Sequence, residues 1–255
     1  MVSSTLVNHC GARQVNAAEL AEVQPPPPTK TWYPLAHRAV LDSACSALEG
    51  AGFAICRSRL SVSQGGARFF GTLDLTTSIV EGVSLAVGIR NSNDQSFPIG
   101  FCCGQRVFVC DNLAFTSEIV VSKKHTRFGQ ERYLEGLARA VSSLDQYRRS
   151  AAGWIERMQA RQLSNDTANS LLLQAYERKI IGLRLLPLVV EEWRRPSREE
   201  YQPRTAYSLF NCFTEVLGRE RQSRFPAESA LATMKLGRLL TSPEAPVNLE
   251  FATAV

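Results

Sequence analysis

The spacing of apolar positions changes character once along this chain, from a period of two in the first half to a helical period in the second. One helix precedes the change. Between Leu35 and Gly50, Val40, Leu41, Ala44, Cys45 and Leu48 recur at three- and four-residue steps, and Gly50 and Gly52 supply the stop. From Phe53 to Val62 apolar and polar residues alternate, as in a strand with one polar face. Gln64-Gly65-Gly66 reads as a hairpin turn, because paired glycines accept the positive φ such turns need. Arg68 to Thr76 returns with Phe69, Gly71, Leu73 and Leu75 on one parity and Phe70, Thr72, Asp74 and Thr76 on the other. After a break at Glu81-Gly82, Val83 to Arg90 makes a third strand. Two short runs, Phe97 to Cys103 and Val107 to Cys110, are rich in β-branched and aromatic residues and predict a fourth and a fifth. Ala114 to Val121 extends the meander.

The second half is helical. Leu134, Leu137, Val141, Leu144, Ala151, Ile155 and Met158 predict one helix from Glu131 to Ala160, roughly 45 Å long, with Gly153 as a point of bending. Ser164 and Asp166 cap a second helix carrying Leu172, Ala175 and Tyr176, which Pro187 interrupts. Pro196 and Pro203 bracket a charged loop; Thr205 to Leu217 is helical again, and a last helix runs from Ala227 to Leu240. Residues 1–31 read as an irregular arm stiffened by Pro25 to Pro28, and residues 241–255 as an irregular tail. The expected class is therefore α+β in one domain over 32–240. An N-terminal helix, an antiparallel sheet of five or six strands, and long helices packed on one face of it follow in that order.

At 255 residues and 44% hydrophobic content the chain can bury a large core. The net charge of +5 and pI near 8.9 permit a nucleic-acid partner without demanding one. Seven cysteines, an odd number with no even framework, point to reduced thiols in a cytoplasm. No apolar run reaches membrane-spanning length, so no membrane partner is expected.

Polar residues gather where the central strands end. One stretch is Arg90-Asn91-Ser92-Asn93-Asp94-Gln95-Ser96; the other is Gly104-Gln105-Arg106-Val107-Phe108-Val109-Cys110-Asp111-Asn112-Leu113. In both stretches the chain resembles the domain-of-unknown-function 932 family, which occurs in phage, plasmid and bacterial genomes and has no established activity. Thr205 to Leu217 is similar to that family's Thr-aromatic-Asn-Thr-Glu arrangement, so the likeness spans about Trp32 to Leu217. The chain departs from the pattern in carrying Asn93 where many relatives have His, and Gln95 where Gly or Lys is common. The first departure argues against a catalytic histidine in this turn.

No phosphate-binding loop, dinucleotide fingerprint, nucleophile elbow or zincin helix is present, and no cofactor is expected. Cys102, Cys103, Cys110 and His125 fail as zinc ligands, because adjacent cysteines on a strand point to opposite faces. The Asn/Asp cluster has two readings. Its side chains tie their own turn together, or they form a site in which Arg90, Asn91, Asn93, Asp94, Arg106 and Asn112, with Asp111, meet a phosphate or a base. The densest basic run, Lys123, Lys124 and Arg127 around His125, is either a solvated loop or a phosphate-contacting edge that Arg132 extends. Phe69, Phe70, Phe101 and Phe108 suit core packing better than base stacking, because alternation already accounts for them.

Three functions stay open. The first is a non-enzymatic binder of single-stranded nucleic acid, an annealing protein that also binds itself as a homo-oligomer; the order helix, meander, helix is shared with recombination-type annealing proteins by analogy of fold. The second is a protein-interaction or assembly protein. The third is a divalent-metal hydrolase using Asp94 and Asp111.

Overall fold

The structure, a computed structural model, describes residues 12–107, 112–220 and 226–242. Six antiparallel strands, each paired with the next in the chain, form one sheet. They are β1 Arg13–Val15, β2 Ile55–Val62, β3 Arg68–Val80, β4 Val83–Ser92, β5 Ile99–Val107 and β6 Asn112–Lys123. The helices among the described residues are α1 Ala17–Ala21, α2 His37–Gly50, α3 Gly129–Ser142, α4 Leu144–Ala160, α5 Asn165–Glu177, α6 Leu186–Arg194, α7 Ala206–Glu220 and α8 Pro226–Thr241, with a 3-10 turn at Glu199–Tyr201. The class is α+β.

The period-two pattern is the sheet's inner face. Register carries Leu60 beside Gly71, Gly71 beside Ile89, Ile89 beside Phe101 and Phe101 beside Val121. These apolar residues join Leu73, Val87 and Cys103 in one buried cluster with Val40, Ala44 and Leu48 of α2 and Tyr133, Leu137 and Val141 of α3. Helix α3 comes close to β6 because Gly136 has no side chain: a Cβ there would stand 2.8 Å from Val121 Cγ1. On the opposite face Arg59 meets Asp74 at 3.3 Å, the carboxylate being buried.

Three expectations need correction. The arm is not irregular up to residue 31, because β1 pairs Val15 with Leu60 and α1 follows it. Asn16 and Glu19 cap α1 reciprocally, at 2.9 and 2.7 Å, and Leu20 is buried beneath it. The two runs read as a fourth and a fifth strand are not separated by a turn at Gly104. Strand β5 continues through Gly104, which pairs with Ala86, and Phe108 to Cys110 lie outside the described residues. The long helix is two helices. It breaks at Ser143 rather than bending at Gly153, and the hydroxyls of Ser142 and Ser143 both donate to the Arg139 carbonyl, at 2.8 and 2.9 Å. Its apolar stripe from Leu137 to Met158 is core, and Leu134 alone of that series is exposed.

Candidate functional site

Antiparallel pairing separates the two polar stretches. Strand β4 sets Arg90 opposite Gly100 and Ser84 opposite Arg106, while Val107 faces Asn112. Arg106 and Asn112 therefore stand at one end of the sheet and Arg90, Asn91, Asn93 and Asp94 at the other, roughly 20 Å away at ~3.3 Å per residue. A single cluster of all these residues is not formed, and Asp111 lies outside the described residues. The basic run, by contrast, does adjoin the first stretch: Lys123 ends β6 opposite Ile99, the first residue of β5.

The first stretch holds the protein together at this end. Asn91 is fully buried on the inner face, where its amide donates to the Leu35 carbonyl at 2.8 Å and to His37 Nδ1 at 2.9 Å. With Nδ1 accepting, Nε2 carries the proton and donates to the Gly66 carbonyl at 2.8 Å. One imidazole thus ties α2 to both the hairpin turn and β4. Burial pushes the His37 pKa below its ordinary value, His125 adds to the depression, and the Gly66 bond and Asp94 only partly oppose it. Asp94 closes its own turn. Its Oδ1 accepts from the Ser96 amide at 3.1 Å and hydroxyl at 2.5 Å, and its Oδ2 accepts from Arg68 Nε at 2.7 Å. Burial raises this carboxyl's pKa, but the bonds from Ser96 and Arg68 outweigh it and hold the group below the usual range. Arg90 lies with its guanidinium 5.4 Å from the centre of the Phe97 ring. Asn93 donates its backbone N–H to Ala67 at 2.7 Å.

At the same end of the sheet β6 runs out into a loop with two faces. His125 points inward and is 5% exposed; its carbonyl accepts from the Tyr33 amide at 2.9 Å, and Trp32 meets its ring edge-on at 6.3 Å. Burial depresses its pKa, with the Tyr33 contact opposing. Thr126 and Gly129 close tight turns on Lys124 and Thr126, at 2.9 and 2.8 Å. Gly129 is required there, because a Cβ would lie 2.4 Å from the Lys124 carbonyl oxygen. Outward go Lys124, Thr126, Arg127 and Phe128, all exposed.

Beside this loop, between the end of β6 and the junction of α3 and α4, opens a cleft of about 620 Å³. Lys123 and Arg139 supply its cations; Ser122, Tyr147 and Ser150 supply hydroxyls and Gln146 an amide, while the Ser143 hydroxyl is already donated to the Arg139 carbonyl, and among the described residues no carboxylate lines it. The arrangement suits an anion. Arg139, Ser143 and Gln146 were not singled out in the sequence; the paired serines inside a helical pattern were the available signal.

The remaining candidates are engaged elsewhere. Glu215 meets Arg198 at 3.4 Å and Tyr201 at 3.2 Å, and Asn211 and Thr214 are buried in α7. Cys103 packs in the core, whereas desolvation pushes the Cys102 thiol up to about 12. Among the described residues no three His, Cys, Asp or Glu side chains gather to hold a metal ion, and no helix is long and apolar enough to cross a membrane. Compared with family models, curated proteins and solved structures, the chain matches none.

Proposed function

We propose that this chain is a non-enzymatic nucleic-acid-binding protein of mobile-element type that acts in a reducing cytoplasm. We also propose that it is related to the domain-of-unknown-function 932 family through the stretches quoted above. One observation carries the functional reading: a cleft with two cations and, among the described residues, no carboxylate opens beside a loop that holds Lys124 and Arg127 outward. Phosphate oxygens are met by such cations and by hydroxyl and amide donors, and these contacts position a strand without reading its sequence. Lys123, Lys124, Arg127 and Arg139 are the contact residues in this reading. Asn91 and Asp94 act beneath them as braces.

The test is binding of labelled single- and double-stranded oligonucleotides at a series of salt concentrations. Replacing Lys123, Lys124 and Arg127 together by Ala is expected to weaken binding to all sequences alike. It should lower the salt slope by roughly 2, at about 0.7 per lost phosphate contact on a single strand. Arg194→Ala with Arg195→Ala, at the end of α6, is the control, since both residues are exposed where a helix packed against α5 and α7 ends. Equal loss in both variants would assign the binding to bulk charge, and no binding by the wild type at low salt would end the proposal.

A protein-contact role has one observation in its favour. Leu173 and Tyr176 of α5, Leu183 and Leu188 are large apolar side chains left exposed. Light scattering of the purified chain decides whether it self-associates. The hydrolase reading has lost a ligand, because both oxygens of Asp94 are bound to Ser96 and Arg68.

A further inference from the structure

We infer that Phe128 is a base-stacking platform, and that the interface therefore takes single-stranded nucleic acid with an unpaired base laid on this ring. The inference rests on the nucleic-acid reading above and adds to it the class of strand.

The first ground is that local structure does not explain the residue. Phe128 occupies the N-cap of α3, where Ser, Thr, Asp or Asn would bond the free amides; it makes no such bond. Nor does it join the core, being 55% exposed. A large ring at a cap position, facing solvent, has given up both of the contributions a side chain there ordinarily makes.

The second ground is its company. Arg127 sets its guanidinium 5.8 Å from the centre of the Phe128 ring, and Lys124 is exposed on the same short loop. Cations bracketing an exposed aromatic face are the elements of single-strand recognition: the charges follow the phosphates and the ring takes the base. A duplex offers the charges the same phosphates but keeps its base faces stacked on one another, so the ring discriminates against it.

The third ground is rigidity. The loop is fixed from below by the buried His125, from the side by the Tyr33 amide, and at its end by the Gly129 amide, which donates to the Thr126 carbonyl at 2.8 Å. A platform held in place loses little freedom when a base settles on it.

The experiment uses fluorescence anisotropy with oligonucleotides of about twelve nucleotides, within the span of known single-strand sites. Three probes share one length: an oligothymidine, the same backbone with every base removed, and a duplex. The full chain, Phe128→Ala and Phe128→Tyr are compared, with thermal unfolding confirming that each variant is folded. The wild type is expected to prefer the base-bearing single strand over the abasic one by roughly 5- to 150-fold, the range that loss of one stacked base spans. Phe128→Ala should erase that preference and bind the abasic strand as the wild type does, while Phe128→Tyr should keep it. A loss in Phe128→Ala that is equal on all three probes, or no loss on any, would overturn the stacking role. Wild-type binding that is equal on duplex and single strand would overturn it too and leave the phosphate-binding cleft standing. Failure of the wild type to bind any probe removes both.

Discussion

Asn91→Ala separates a brace from a contact residue. The side chain is fully buried, and its amide supplies the bonds to the Leu35 carbonyl and to His37. Each such bond contributes about 0.5–1.5 kcal/mol net, and leaving its buried partner unsatisfied costs about 1–3 kcal/mol. These are largely one loss seen from two sides, so they are not summed. The vacated volume adds to the loss, while removal of Asn91 Oδ1, itself buried without a hydrogen-bond partner, offsets part of it. The expected destabilisation is about 2–3 kcal/mol, well inside a stability of about 5–15 kcal/mol, so the variant still folds. With a urea dependence of about 2–3 kcal/mol per molar, the unfolding midpoint should fall by about 1 M. Circular dichroism and tryptophan fluorescence should report the same midpoint. Oligonucleotide affinity, measured where the variant is fully folded, should stay within about twofold of wild type, a difference of under ~0.5 kcal/mol. An unchanged midpoint together with a drop in affinity of about tenfold or more would show that Asn91 touches the ligand and that the brace argument is wrong.

Two further predictions follow from geometry and charge. Gly136→Ala and Gly153→Ala should have opposite signs in urea unfolding. The first drives a methyl against Val121 and loses about 1 kcal/mol, because overpacking outweighs helix propensity. The second meets only the far end of Arg157, at 3.4 Å, and gains about 0.5–1 kcal/mol. Stability should also fall as pH drops below the ordinary histidine value of 6.5, since His37 and His125 have lowered native pKa values and the unfolded chain then binds more protons. The loss is complete once pH is below the lowered native values; Asp94, held below 3.8, adds a second and more acidic loss. A flat stability between pH 7 and 5, measured by urea midpoints at about half-unit steps, would contradict the neutral-histidine assignment.

The change of period is legible in the sequence because burial of one sheet face and one helix stripe leaves a repeating pattern, and β2, β3, β4 and α2 lie where that pattern puts them. What the pattern does not encode is pairing. Strand β1 is three residues long, too short for any period, and exists through its partner β2. The Asn16 to Glu19 spacing in front of a short apolar run was a readable cap that went unused. Gly104, between the two runs read as separate strands, lies inside β5, paired with Ala86 and Phe115 beside the register shift that follows Cys102. The grouping of Asn91 with Asn112 failed for the same reason. Residues near in sequence were assumed near in space, and the antiparallel register sends them to opposite ends of the sheet.

The end of the sheet that keeps Arg90 to Ser96 is built differently from the rest of the core. Trp32 Nε1, Asn91 Oδ1, both amide atoms of Asn93 and both ring nitrogens of His125 are buried there with no hydrogen-bond partner among the described residues. Elsewhere the same sheet face is packed with Leu, Val, Ile and Phe. The loop at this end is the one that carries Lys124, Arg127 and Phe128 outward and His125 inward. Burial holds the pKa of the inward imidazole below its ordinary value, because a protonated ring there would be poorly solvated. The polar residues of the first stretch therefore brace the end of the sheet from which the loop carrying Lys124, Arg127 and Phe128 departs.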